Sequence, residues 1–224
     1  MDALAKKIAI AQDLIRQAYK TYGSQLAVAW TGGKDSTVML DLIRSTFHGK
    51  VPFPVMFNDS TMEFEEIYAF IETITTQWKL RLHVVKHVPE DLKKFYQLTS
   101  FQKKELFSRQ MKIHAIASAL DRYHYKGFLV AIRWDEHASR SRETYLSQRT
   151  DHVRFHPILH FTEADIWSYI KSRRVPYVAL YDHGYRSLGE KPFTHPAKKS
   201  QRERSGREPG KEIIMEQLRD LGYW

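Results

Sequence analysis

The sequence predicts a doubly wound α/β fold, a mostly parallel sheet with helices on both faces, continued by a basic C-terminal arm. Three observations predict it. Short apolar runs alternate with stretches whose apolar residues recur at helical spacing, the pattern of strand–helix–strand units. The first run breaks into a turn with two glycines, Gly32 and Gly33, and a helical stretch begins at once. A 224-residue chain with 42% hydrophobic and 13% aromatic residues can bury one such core.

Leu4, Ile8, Ala11, Ile15 and Ala18 mark an opening amphipathic helix over residues 3–20, stopped near Gly23. Leu26-Ala27-Val28-Ala29 reads as a short buried strand. Val38, Met39, Leu40, Leu42 and Ile43 then place a helix over about 34–47. Pro54-Val55-Met56-Phe57-Asn58 is a second strand. Ser60 and Glu63 follow with capping-box spacing, ahead of a helix face of Phe64, Ile67, Tyr68, Ile71 and Trp78. Leu82-His83-Val84-Val85 is a third strand, and Leu106, Ile113, Ile116, Ala117 and Leu120 belong to a helix over about 101–123. Gly127 leads into a fourth strand, Phe128-Leu129-Val130-Ala131-Ile132. Composition shifts near Tyr185. Residues 186–211 are rich in Gly, Pro, Lys and Arg and read as a flexible or ordered-on-binding arm, with a terminal helix over about 211–221. The expected organisation is therefore an α/β domain over 1–185 and a basic arm with terminal helix over 186–224.

The strand, glycine turn and helix start at 26–37 make a phosphate cradle. Glycines let backbone N–H groups approach phosphate oxygens, and a helix N-terminus adds partial positive charge. Lys34 supplies a point charge. Asp35, Ser36 and Thr37 sit where first-turn residues cap the helix or hold a magnesium ion, so Asp35 is the candidate metal ligand. The candidate nucleotide contacts are Ala29, Trp30, Thr31, Gly32, Gly33, Lys34, Asp35 and Ser36. Main-chain groups around Ala29 and Phe57 are expected to meet an adenine. Asp59 and Glu63 read either as caps or as groups at the carboxyl edge of the sheet beside the nucleotide. Chance matches to Gly-Gly-x-Asp-Ser arise roughly once in 50,000 positions, which favours a functional loop over an ordinary turn. The Walker A spacing is absent.

The chain has no cysteine, which excludes disulfides, thiolate zinc sites, iron–sulfur clusters and a cysteine nucleophile within it. A net charge of +9 suits polyanionic ligands but does not choose among nucleotides, sulfate and nucleic acid. Without an 18-residue apolar run or a signal-peptide core, the expectation is a cytoplasmic protein with no membrane partner. His83 with His87, and His152 with His156, lack the helical placement of zinc-binding pairs. Trp78 and Trp167 read as core residues.

Arg133, Arg140, Arg142, Arg149 and Arg154 fall within 22 residues that contain no lysine. Guanidinium forks match tetrahedral oxyanions, so Arg133, Arg140 and Arg142 are the candidates for acceptor or phosphate contacts. The competing reading is a salt-bridged face with Asp135, Glu136, Glu143 and Asp151. Because ligands bind at the carboxyl ends of parallel strands, this segment and the glycine loop should share one cleft.

The loop Thr31-Gly32-Gly33-Lys34-Asp35-Ser36 resembles the Ser-Gly-Gly-x-Asp-Ser loop of the N-type ATP pyrophosphatases, with Thr31 in place of the first serine. Arg133-Trp134-Asp135-Glu136-His137-Ala138-Ser139-Arg140, together with Phe155-His156-Pro157-Ile158-Leu159 and Phe161-Thr162-Glu163-Ala164-Asp165-Ile166-Trp167, is similar to the small catalytic subunit of bacterial ATP sulfurylase. Tyr181-Asp182-His183-Gly184-Tyr185-Arg186-Ser187-Leu188-Gly189 looks more like FAD synthetase. Resemblance to the wider phosphoadenosine-phosphosulfate reductase-like superfamily runs from about residue 24 to 224. It implies an adenine nucleotide alpha hydrolase-like fold and cleavage of magnesium-ATP between its α and β phosphates. AMP would pass to sulfate or to FMN, with Lys34, Asp35, Arg133 and Arg140 as catalytic residues. For sulfate the resemblance also implies a GTPase partner subunit. Reductases of this superfamily attack with a cysteine that this chain lacks. An RNA-modifying enzyme and an inactive nucleotide-binding partner subunit are the rivals. Against the first stand the missing sulfur-carrying cysteines and the absence of an RNA module. The residues do not specify an oligomeric state.

Overall fold

Residues 3–198 and 200–207 are described by the computed structural model of the chain. The strands are β1 (Leu26–Ala29), β2 (Val55–Asp59), β3 (Leu82–Lys86), β4 (Gly127–Leu129), β5 (Leu146–Gln148) and β6 (Val153–Phe155). The helices are α1 (Ala3–Tyr22), α2 (Lys34–Thr46), α3 (Glu65–Gln77), α4 (Pro89–Gln97), α5 (Phe101–Tyr123) and α6 (Glu163–Arg173). The strands form one sheet in the order β3-β2-β1-β4-β6-β5, parallel except for β5, which runs antiparallel to β6.

Alternate residues of the central strands feed two cores, as a sheet covered on both faces requires. Leu26, Val28, Val55, Phe57, Leu129 and Phe155 join the apolar sides of α1, α2, α3 and α6. Ala27, Met56, Val85 and Phe128 join Ala115, Ala119 and Leu120 of α5 on the opposite face. The chain proceeds from β1 outward to β3, then returns through α4 and α5 to place β4 on the other side of β1. That reversal opens a crevice at the carboxyl ends of β1 and β4. The doubly wound fold expected from the sequence is the one found.

Several boundaries differ. The strand β4 ends at Leu129; the Val130 N–H still donates to Phe155 O at 2.9 Å, and the chain then turns, with the Ile132 N–H donating to Val130 O at 3.2 Å. No capping box forms at Ser60: α3 starts at Glu65 behind Phe64, and the Ser60 hydroxyl donates to Glu63 at 2.9 Å. A capping box does form at α6, between Thr162 and Asp165. The expected flexible or ordered-on-binding arm is folded over its described residues, 186–198 and 200–207, with Glu190, Phe193, Thr194, Glu203, Arg204 and Arg207 buried. The expected terminal helix over 211–221 lies outside the described residues. Trp78 and Trp167 are half-buried against the larger core.

Candidate active site

After β1 the chain turns through Trp30–Gly33 into α2. Gly32 holds φ +73°, and a Cβ there would also meet Ile67 Cγ2 at 3.3 Å, so the position requires glycine. Gly33 is the N-cap of α2 at φ −69°, a conformation any residue adopts. The Ser36 hydroxyl donates to Gly33 O at 3.0 Å and accepts the Thr31 N–H at 3.3 Å, which closes the loop. The Trp30 indole donates to Thr37 Oγ1 at 3.0 Å and is wholly buried, so its ring belongs to the core. The Lys34 N–H, one of the first-turn amides expected to face phosphate, donates instead to the Tyr181 hydroxyl at 2.9 Å. Burial pushes that phenol up to about 12, so it stays protonated.

Behind the loop sits a buried ionic knot. Lys34, 1% exposed, meets Asp35 at 3.1 Å, the Arg186 carbonyl at 3.0 Å and the Glu203 carboxylate. Arg133, 0% exposed, donates from Nε to Asp35 at 2.7 Å, and from its two terminal nitrogens to Asp135 and Glu203, each at 2.5 Å. Burial opposes both charges, but Asp35 and Glu203 outweigh it, so the pKa values of Lys34 and Arg133 are raised. Burial likewise opposes ionisation of Asp35, and Arg133 and Lys34 overcome it and lower its pKa. A second knot adjoins the first. Glu136 receives Arg140 and, at 2.6 Å, Arg204; these guanidiniums outweigh burial and hold its carboxyl well below the usual range.

A cavity of about 260 Å³ lies in front of these groups. Ala29, Trp30, Thr31, Gly33, Asp35, Ser36, Phe57 and Arg140 line it, which brings the glycine loop and the arginine segment into one cleft. Lys34 and Arg133 do not line it; Asp35 and Glu203 stand against them. Arg142 is exposed and away from the cavity, because the turn after Arg140 carries it to the surface. Asp59 is also absent from the wall. Its carboxylate accepts the Thr61 N–H and the Tyr68 hydroxyl, each at 2.8 Å, and so serves as a local cap. Glu63 does reach the wall, and burial raises its carboxyl pKa. Sequence reasoning missed Lys112, Glu136, Tyr181, Arg204 and Arg207 as wall residues, and Glu203 as the partner of Lys34. Tyr181 and Glu136 lay inside quoted motifs, and Gly206-Arg207 resembles the ATP sulfurylase tail, whereas Lys112, Glu203 and Arg204 carried no local signal.

The donor set does not suit a resident metal ion. One Asp35 oxygen is bonded to Arg133 and the other to Lys34, and among the described residues no cluster of three His, Asp or Glu could hold a metal. Among the described residues no helix is long and apolar enough to cross a membrane.

The glycine loop after β1, the start of α2 and the Arg140 guanidinium meet at the topological switch point of an α/β sheet. Residues 25–196 match the phosphoadenosine phosphosulfate reductase domain model, and the chain belongs to that family. It is 30% identical over 201 residues to an adenosine 5'-phosphosulfate reductase of Halalkalibacterium halodurans, covering 87% of this chain and 85% of that one. It is 35% identical over 176 residues to sulfate adenylyltransferase subunit 2 of Allorhizobium ampelinum, covering 66% of this chain but 55% of the relative. The chain thus spans about half the length of that second relative. Two solved structures share the fold. The phosphoadenylyl-sulfate reductase of Candida auris superposes with a TM-score of 0.71 at 21% identity, over 83% of this chain and 90% of that one. The FMN adenylyltransferase of Candida glabrata in complex with ATP gives 0.67 at 20% identity, over 88% and 66%.

Proposed function

We propose that the chain is an adenylyltransferase that cleaves magnesium-ATP between its α and β phosphates and passes AMP to an oxyanion, with sulfate as the acceptor. The observation that carries this reading is the meeting of the glycine loop with Arg140, Arg204 and Arg207 around one cavity at the β1/β4 crevice. The acceptor oxygen attacks the α-phosphorus in line, the α–β anhydride bond breaks, and its electron pair leaves on pyrophosphate. Little covalent work falls to the protein, so its contribution is positioning and neutralisation of charge. The start of α2 and the arginines bind the polyphosphate. Lys34 and Arg133 join once the polyphosphate replaces the Glu203 carboxylate that now occupies them. The absence of any cysteine in the chain supports adenylyl transfer over thiol-dependent reduction, despite the reductase relatives.

A second reading, FMN as acceptor, draws on the apolar part of the wall. Phe57, Ile67 and Leu188 line the cavity, and Tyr181, Ser187, Leu188 and Gly189 belong to the FAD synthetase-like run. A flavin ring needs such a slot and sulfate does not. The test is the reverse reaction, since sulfate adenylation is strongly uphill and the resemblance implies a GTPase partner to drive it. Adenosine phosphosulfate plus pyrophosphate should give ATP. FAD formation from FMN and ATP without that reaction would transfer the assignment to FMN. ADP and orthophosphate as products would overturn adenylyl transfer altogether.

A further inference from the structure

Among the described residues, the acids in the wall of the cavity before the glycine loop are Asp35, Glu63 and Glu136. Two are already paired. The Asp35 oxygens take Arg133 and Lys34, and those of Glu136 take Arg140 and Arg204. Glu63 differs, and the phosphate-binding groups leave it without a role. One of its oxygens, Oε1, accepts the Ser60 hydroxyl at 2.9 Å. Oε2 has no hydrogen-bond partner among the described residues and is not sealed from the cavity that the residue lines. The cations whose charge reaches it are engaged elsewhere: Lys112 pairs with Glu190 at 2.9 Å, and Arg207 donates to the Leu188 carbonyl and, at 3.3 Å, to the Ser187 hydroxyl. Burial, helped by Glu190, outweighs the pull of Lys112 and Ser60 and raises the Glu63 pKa, as in a carboxyl short of donors.

Position decides what such an oxygen can meet. β2 lies parallel beside β1, and Glu63 stands in the turn between β2 and α3, one strand over from the glycine loop. In dinucleotide-binding doubly wound sheets the phosphates lie at the glycine turn, and a carboxylate further along the chain holds a ribose hydroxyl. The other parts of a nucleotide are served elsewhere in this cavity. Phosphates are anions that an acid repels, and Gly33, Ser36, Arg140 and Arg204 are there to receive them. The base is expected at main-chain groups around Ala29 and Phe57, where Met56, Phe57 and Ile116 make the wall apolar. The sugar hydroxyls remain, and they are donors.

We infer that Glu63 Oε2 accepts a hydrogen bond from the ribose of the bound nucleotide and so selects ribonucleotides over their deoxy counterparts, an inference that rests on the magnesium-ATP reading. The Ser60 hydroxyl holds the carboxyl in place from its other oxygen. A site built to bond a substrate hydroxyl rejects the analogue lacking it, because its own acceptor is then left unpaired.

The probes are the magnesium complexes of ATP, of dideoxy-ATP, which lacks both ribose hydroxyls, and of ITP, which keeps the ribose but has an oxo group in place of the base amino group. Each is titrated calorimetrically into the full chain. The parent should bind ATP about tenfold to a hundredfold tighter than dideoxy-ATP, the worth of one hydrogen bond to a charged group. Glu63→Ala should bring ATP down to the level of dideoxy-ATP, with the affinity for dideoxy-ATP and the ATP-to-ITP ratio both unchanged. Glu63→Gln keeps a hydrogen-bonding group of the same size and should retain part of the ribose preference. Should Glu63→Ala not fold, Glu63→Met, apolar and of similar length, takes its place. Equal binding of ATP and dideoxy-ATP by the parent, or an undiminished ribose preference in the apolar variant, would overturn the contact and leave the ATP reading standing. A variant that loses its ATP-to-ITP preference instead would place Glu63 at the base and overturn the contact as well. A parent that binds none of the three nucleotides would overturn the ATP reading, and the contact with it.

Discussion

Replacing Glu203 by alanine should make the protein less stable alone and tighter for ATP. The carboxylate bridges Lys34 and Arg133, both almost fully buried, across sequence separations of 169 and 70 residues. Removing one partner from a buried pair costs about 3–5 kcal/mol, because the remaining charges lose their compensation. Asp35 and Asp135 still neutralise part of the cluster, which places the loss toward the lower end. For a chain of this size 1 kcal/mol shifts Tm by about 2–4 °C, so the unliganded variant should melt roughly 6–12 °C lower. A triphosphate returns the missing negative charge to the same two cations. It no longer displaces a carboxylate, so ATP should bind about tenfold or more tightly than to the parent and restore a larger share of Tm. Scanning fluorimetry with and without magnesium-ATP, followed by titration calorimetry, reads both quantities. Glu203→Gln should behave alike with a smaller loss, since it keeps the volume and one acceptor. If the variant melts lower but its ATP-induced shift equals or falls below that of the parent, Glu203 supports the site and does not compete for it.

Other perturbations separate the parts of the cleft. Gly33→Val should fold, since φ −69° suits valine, but place methyl groups beside Thr31 Oγ1 and the Tyr181 hydroxyl and abolish ATP binding in calorimetry; Gly32→Val should instead lower Tm, by about 1–3 kcal/mol of backbone strain plus the Ile67 contact. Arg140→Lys keeps a charge opposite Glu136 but not the fork, so ATP synthesis from adenosine phosphosulfate and pyrophosphate should fall about tenfold or more with Tm nearly unchanged. His156 is fully buried, donates to the Val130 carbonyl at 3.4 Å, and burial lowers its pKa to about 3. The unfolded chain takes up a proton near pH 6.5 that the folded state refuses, so stability is complete above that pH and is lost as pH falls toward 3. Urea titrations should show about 1.4 kcal/mol lost per pH unit from this residue, and His156→Asn, which keeps a donor without titrating, should remove that share of the slope.

The parts of the fold legible in the sequence are those held by apolar burial. β1, β2 and the first turns of α2 and α3 could be read because a parallel strand covered on both faces is a continuous apolar run, and because Gly32 answers a positive φ that little else accepts. The missed elements lack that signal. β5 and β6 are three residues each, Leu146-Ser147-Gln148 and Val153-Arg154-Phe155, and polar side chains interrupt both. In α4 the buried residues are Asp91 and Phe95, too few for a period.

The 186–207 stretch fails for a deeper reason. Glu203 and Arg204 are buried by charge, and composition that reads as a solvated arm reads the same when each of these charges has a counterpart elsewhere in the chain. The counterparts are Lys34, Arg133 and Glu136, contributed by the glycine loop and the arginine segment. Phe193 packs against Phe95 and Met111, so apolar burial holds the middle of the stretch, while the charges in the cleft hold Glu203 and Arg204, and an anion that takes those charges acts directly on that end.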